Sequence, residues 1–129
     1  MLSTHYENIK NVMVVKLSGE VMAENVTQLK NRFIEYETNY KYFLFDFKNV
    51  TMIDSSGLGY IVYCLKEVRK NGGDVKIENL VDQAKLIFEI TRINSVLDIY
   101  DNQNDALNSF NQMEHTYESN NSNLNEIIS

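Results

Sequence analysis

A chain of 129 residues, 43% hydrophobic and 11% aromatic, can bury one core and is too short for two full domains. Twelve Lys and Arg against eighteen Asp and Glu leave a formal charge of −6, which excludes the concentrated basic surface that nucleic acid or an anionic membrane requires. Cys64 is the only cysteine, no apolar stretch approaches the ~18 residues of a membrane span, and Met1-Leu2-Ser3-Thr4-His5 has no basic-then-apolar leader. The expectation is a soluble cytoplasmic domain whose partners offer basic or neutral surface.

Proline is absent, so element ends fall to Gly, Asn and Asp. Residues 11–21 alternate around Val12, Val14 and Leu17 and predict a strand, paired with a shorter one over 6–10 across a turn at Asn8 to Asn11. Gly19-Glu20 is expected to close it. Over 23–37, Val26, Leu29, Phe33 and Tyr36 recur at spacings of 3, 4 and 3, one stripe of an amphipathic helix capped near Glu24 or Asn25. Tyr42-Phe43-Leu44-Phe45-Asp46-Phe47 is almost wholly apolar, as suits a central strand covered on both faces. Lys48 to Asp54 reads as a loop.

A second stripe follows at Leu58, Ile61, Leu65 and Val68, with Lys66, Arg69 and Lys70 in the last turn and Asn71-Gly72-Gly73 as the stop. A short strand around Val75 and Ile77 precedes a helix over 82–91, with Asp82 as its cap and Ala84, Ile87, Phe88 and Thr91 inward. Residues 96–100 suggest a last strand, and Ala106, Leu107 and Phe110 a closing helix over 104–110. This order implies an α/β domain over residues 1–111: a small mixed, largely parallel sheet of four or five strands with about four helices. Residues 112–129, rich in Asn, Ser and Glu, read as a mobile tail, or a helix that docks only on a partner.

Chemistry concentrates in Ile53-Asp54-Ser55-Ser56-Gly57-Leu58-Gly59, between the buried strand and the second helix. That junction lies at the carboxyl edge of a sheet, where open α/β folds meet their ligands. A helix N-terminus also offers free N–H groups and a partial positive charge to an attached phosphate. On residue chemistry alone, Ser55 and Ser56 are helix caps, and Gly57 and Gly59 allow close packing.

The same heptad resembles the phosphorylation-site signature of anti-sigma factor antagonists, members of the STAS domain family. Leu17-Ser18-Gly19-Glu20, Phe45-Asp46-Phe47, Asn71-Gly72-Gly73 with Val75-Lys76-Ile77, Phe88-Glu89-Ile90-Thr91-Arg92-Ile93 and Asp105-Ala106-Leu107 resemble the family's other landmarks in the same order, over about residues 5 to 111. The resemblance implies that Ser55 is the phosphoacceptor, that Ser56 orients or caps, and that Asp54, Gly57, Leu58 and Gly59 complete a partner-binding switch loop. It implies a non-enzymatic antagonist. The unmodified form binds an anti-sigma factor, a serine kinase of histidine-kinase-like fold, and so frees a sigma factor. Phosphorylation ends that contact, and a serine phosphatase restores it. A monomer is the simplest expectation. The pattern departs at Met22, where the family usually carries an acidic residue.

Other chemistries find less support. His5 and His115 lie near opposite ends without telling carboxylates, and Cys64 reads as a buried thiol with no His partner. No Cys/His pair has metal-ligand spacing, so no metal or cofactor is expected. Gly57-Leu58-Gly59 lacks the third glycine of a dinucleotide fingerprint, and no phosphate loop or nucleophile elbow occurs. Tyr36, Tyr40, Tyr42 and Phe43 are better placed in a core than in base stacking. The alternatives kept open are a nucleotide-binding or NTP-hydrolysing domain above Ser55, and a STAS module in another phospho-dependent pathway.

Overall fold

The computed structural model describes residues 1–111. The tail expected over 112–129, with His115, lies outside the described residues. Five strands form one sheet in the order β1-β2-β3-β4-β5: β1 (Ser3–Ile9), β2 (Val12–Val21), β3 (Tyr42–Ile53), β4 (Asp74–Glu78) and β5 (Asp98–Tyr100). β1 is antiparallel to β2, and the remaining pairs are parallel. The β1–β2 turn uses Lys10 and Asn11 at positive φ, with the Asn11 N–H donating to Asn8 Oδ1 at 3.1 Å.

The helices are α1 (Val26–Glu37), α2 (Ser55–Arg69), α3 (Asp82–Ile90) and α4, over residues 103–111. The two-sided apolar pattern of β3 explains why both faces are covered. Phe43, Phe45 and Phe47 point into a core with Leu29 and Phe33 of α1, Ile61 and Leu65 of α2, and Phe88 of α3. Tyr42 and Leu44 point the other way, against Ala106, Leu107 and Phe110 of α4. Each fully buried Phe or Leu contributes about 1.5–3 kcal/mol to folding, so this strand is the organising element.

Four expectations are corrected. Residues 48–53 are not a loop: β3 continues because β2 does, pairing Ser18 with Asn49, Gly19 with Val50 and Val21 with Ile53 across register shifts. Gly19, at φ 108°, carries β2 through that irregularity instead of ending it. Asp82 is the first residue of α3, not its cap. Val81 holds the cap position, with Asp82 placed to meet the helix dipole. Thr91 faces solvent rather than the core, and its hydroxyl donates to the Ile87 carbonyl at 2.7 Å.

The face under α4 also carries charge. Lys76, 2% exposed, donates to Asp98 Oδ2 at 3.1 Å and lies over the Tyr100 and Phe110 rings. Glu78, 1% exposed, has neither carboxylate oxygen hydrogen-bonded among the described residues. Desolvation, reinforced by the Asp46 carboxylate and opposed by Lys16, pushes its pKa up to about 7. The folded protein therefore holds a proton that the unfolded chain releases at about 4.5, so stability falls as pH rises from about 4.5 to 7. Glu78→Gln should flatten that slope and raise stability at pH 8 by on the order of 1–2 kcal/mol, read from urea unfolding at several pH values.

Candidate functional site

The junction between β3 and α2 lies at the carboxyl edge of the parallel strands, as the sequence predicts, and Asp54 builds it. Its backbone is extended, so its side chain turns back over the first turn of α2, and Oδ1 accepts the Gly57 N–H at 2.8 Å. Oδ2 accepts the Ala23 N–H at 3.0 Å, and the Asp54 N–H donates to the Val21 carbonyl at 3.3 Å. One residue thus caps α2 and ties it to the loop leaving β2. That loop is held from its other side by Asn25 Nδ2, which donates to the Glu20 carbonyl at 2.8 Å. The Gly57 N–H is the main cause that lowers the Asp54 pKa, with the Ala23 N–H adding to it.

Asp54 supplies the cap, rather than either serine. Ser55 and Ser56 are exposed on the first turn of α2, while Gly57 and Leu58 are buried beneath them. The two glycines differ. A Cβ on Gly57 would collide with the Val21 carbonyl oxygen, so the helix can seat this close to β2 only without a side chain. A Cβ on Gly59 would meet nothing within 4 Å, so close packing is not its role. Gly59 lies one turn beyond Ser55 on the same side of the helix and leaves the surface beside that hydroxyl bare. Met22, partly buried, sits between the two residues whose backbones bond to Asp54. Met52 near the end of β3 is 48% exposed, a feature without a periodic signal in the sequence.

The other candidates lie elsewhere. Cys64 is fully buried, with its thiol pKa raised by desolvation. His5 is exposed on β1. Tyr36 stacks on Tyr6 at 4.4 Å between ring centroids, and Tyr42 and Phe43 are buried on opposite faces of β3. Clefts of about 630 and 430 Å³ are lined by other residues: Lys10, Lys41 and Phe110 border the first, Leu80, Phe88 and Tyr100 the second. No cluster of three His, Cys, Asp or Glu among the described residues could hold a metal, and none of their helices is long and apolar enough to cross a membrane.

A mixed five-stranded sheet, with a carboxylate-capped, serine-bearing helix start at its carboxyl edge, defines a small α/β domain that presents a hydroxyl surface beside a fixed carboxylate. Residues 3–106 match the STAS domain, and the chain belongs to that family. It is 30% identical over 90 residues to the anti-sigma-B factor antagonist of Bacillus subtilis (strain 168), covering 70% of this chain and 83% of that protein. An anti-sigma factor antagonist from Mycobacterium paratuberculosis shares the fold at a TM-score of 0.77 and 19% identity, over 84% of this chain and 93% of that one. The Bacillus cell fate determinant SpoIIAA, solved in its phosphorylated form, superposes at a TM-score of 0.67 and 16% identity, over 84% and 99%.

The glycines give a paired prediction. Gly57→Ala should destabilise the fold by more than about 1 kcal/mol, because backbone must move, whereas Gly59→Ala should stabilise it by about 0.5–1 kcal/mol. Asp54→Ala should cost about 1 kcal/mol from the lost cap. Chemical denaturation of the three variants checks all of these.

Proposed function

We propose that this protein is an anti-sigma factor antagonist switched by phosphorylation of Ser55. The unmodified form binds an anti-sigma factor that is a serine kinase of histidine-kinase-like fold, the sigma factor is released, and a serine phosphatase reverses the modification. Asp54, Ser56 and Gly59 border the contact surface, and the buried Gly57 and Leu58 seat the helix start beneath it. The observation that carries this reading is an exposed Ser55 hydroxyl on a rigid, already capped helix turn, with uncovered surface beside it at Gly59.

The electrostatics support inhibition by the phosphate. Asp54 has already taken the Gly57 N–H, so a phosphate on Ser55 meets a carboxylate rather than a fully vacant helix end. A group of about −1.5 to −2 charge beside that carboxylate must be desolvated in any tight contact. Ser55, Ser56 and Gly59 are all exposed at the helix start, which suits contact with a protein face. The relative named for anti-sigma-B antagonism and the phosphorylated SpoIIAA structure agree with this reading.

The test uses the histidine-kinase-like serine kinases encoded in the same genome. One of them should place phosphate on Ser55, located by mass spectrometry, and Ser55→Ala should remove it. Ser55→Asp should weaken binding of that kinase at least about 10-fold, or 1.4 kcal/mol. Phosphate on another residue overturns the site, and undiminished binding of Ser55→Asp overturns the repulsion.

A further inference from the structure

The sheet has two edges. β5 is a three-residue strand whose Asp98 and Tyr100 are occupied with Lys76. Among the described residues, β1 runs for seven residues, pairs on one side only, and carries no proline and no register shift that would twist it away from another strand. Its outer backbone N–H and C=O groups therefore form an open template.

The side chains of β1 decide what fits. Tyr6 packs on the face covered by α1, stacked on Tyr36 with the Arg32 guanidinium over its ring. Ile9 packs on the α4 face, so Ser3, His5, Glu7 and Ile9 share one face and Thr4, Tyr6 and Asn8 the other. An added antiparallel strand must keep those faces aligned. A second copy of β1 does so with Tyr6 opposite Tyr6 across a two-fold axis. This register pairs Ser3 with Ile9, Thr4 with Asn8 and His5 with Glu7, and uses the whole strand. Sliding by one residue per copy shortens the overlap and sets His5 against His5 or Glu7 against Glu7, which removes the complementary pairs. On the inner side of β1, Lys16 of β2 lies 3.9 Å from Glu7, and Arg32 lies over the Tyr6 ring while pairing with Glu35 at 3.3 Å.

We propose that β1 is a homodimerisation edge, in which two copies join into one continuous ten-stranded sheet through an antiparallel β1–β1 pair centred on Tyr6. This revises the expectation of a monomer and does not depend on the switch reading. Because the two-fold reverses the strands, the two Ser55 surfaces lie at opposite ends of the joined sheet, each free to meet its own partner.

Sedimentation velocity and amide hydrogen exchange on the full chain test the dimer across a range of protein concentrations. A concentration-dependent dimer should form, and exchange protection should rise with concentration at alternate amides of β1. His5→Glu, which sets a second carboxylate directly opposite Glu7 of the other copy, should raise the dimer dissociation constant at least about 10-fold. His5→Glu combined with Glu7→His should restore it. A protein monomeric at all concentrations, or a dimer without new protection in β1, overturns the proposal even if the variants fail to fold. A dimer indifferent to folded His5→Glu overturns the register.

Discussion

The arrangement at the carboxyl edge depends on one residue bonded in two directions. Asp54 accepts from Gly57 to start α2 and from Ala23 to hold the loop after β2, while its own N–H reaches Val21. Without that carboxylate the helix would begin with an unsatisfied turn, and the two connections would be fixed only by packing. Gly57 complements it sterically, since its missing side chain lets α2 approach the Val21 carbonyl. Both devices leave the Ser55 side chain outside the hydrogen bonds of the cap, at the surface, on a turn that is nevertheless anchored on both sides.

Most of the architecture was legible because the apolar spacing was strong. The stripes of α1 and α2 lie as expected, with Leu29, Phe33, Leu58, Ile61, Leu65 and Val68 all buried. The unbroken apolar run of β3 signalled a strand covered on both faces, and α4 supplies the second cover. What failed was decided between segments. Lys48 and Asn49 are exposed and polar, and only pairing with a β2 that runs on through Gly19 makes their segment a strand. Register shifts leave no mark in periodicity.

The site was legible in position and less so in its roles. Asp-Ser-Ser before a helix invites the hydroxyls as caps, and the structure gives that task to the carboxylate. Nothing in the order of these residues says which will turn back, because that follows from the extended backbone at Asp54 and from the waiting Ala23 N–H across the loop. The difference between Gly57 and Gly59 is likewise invisible in a glycine repeat. It depends on the Val21 carbonyl, a neighbour in space that lies far away in sequence.

This geometry also limits how a modification here could act. Leu58, Tyr60 and Ile61, immediately after the serines, are buried in the main core, and Asp54 anchors the turn before them. Moving the start of α2 would therefore mean withdrawing large apolar groups as well as breaking two backbone contacts. A charge at an exposed hydroxyl, screened by water, has little energy available to drive such a change. The same charge enclosed against another protein loses that screening, and its desolvation is opposed by the adjacent Asp54 carboxylate. A phosphate on Ser55 would thus be almost silent in the free protein and decisive in the complex. The anchoring of this helix start by Asp54 and the buried Leu58 is what would confine such a signal to the contact.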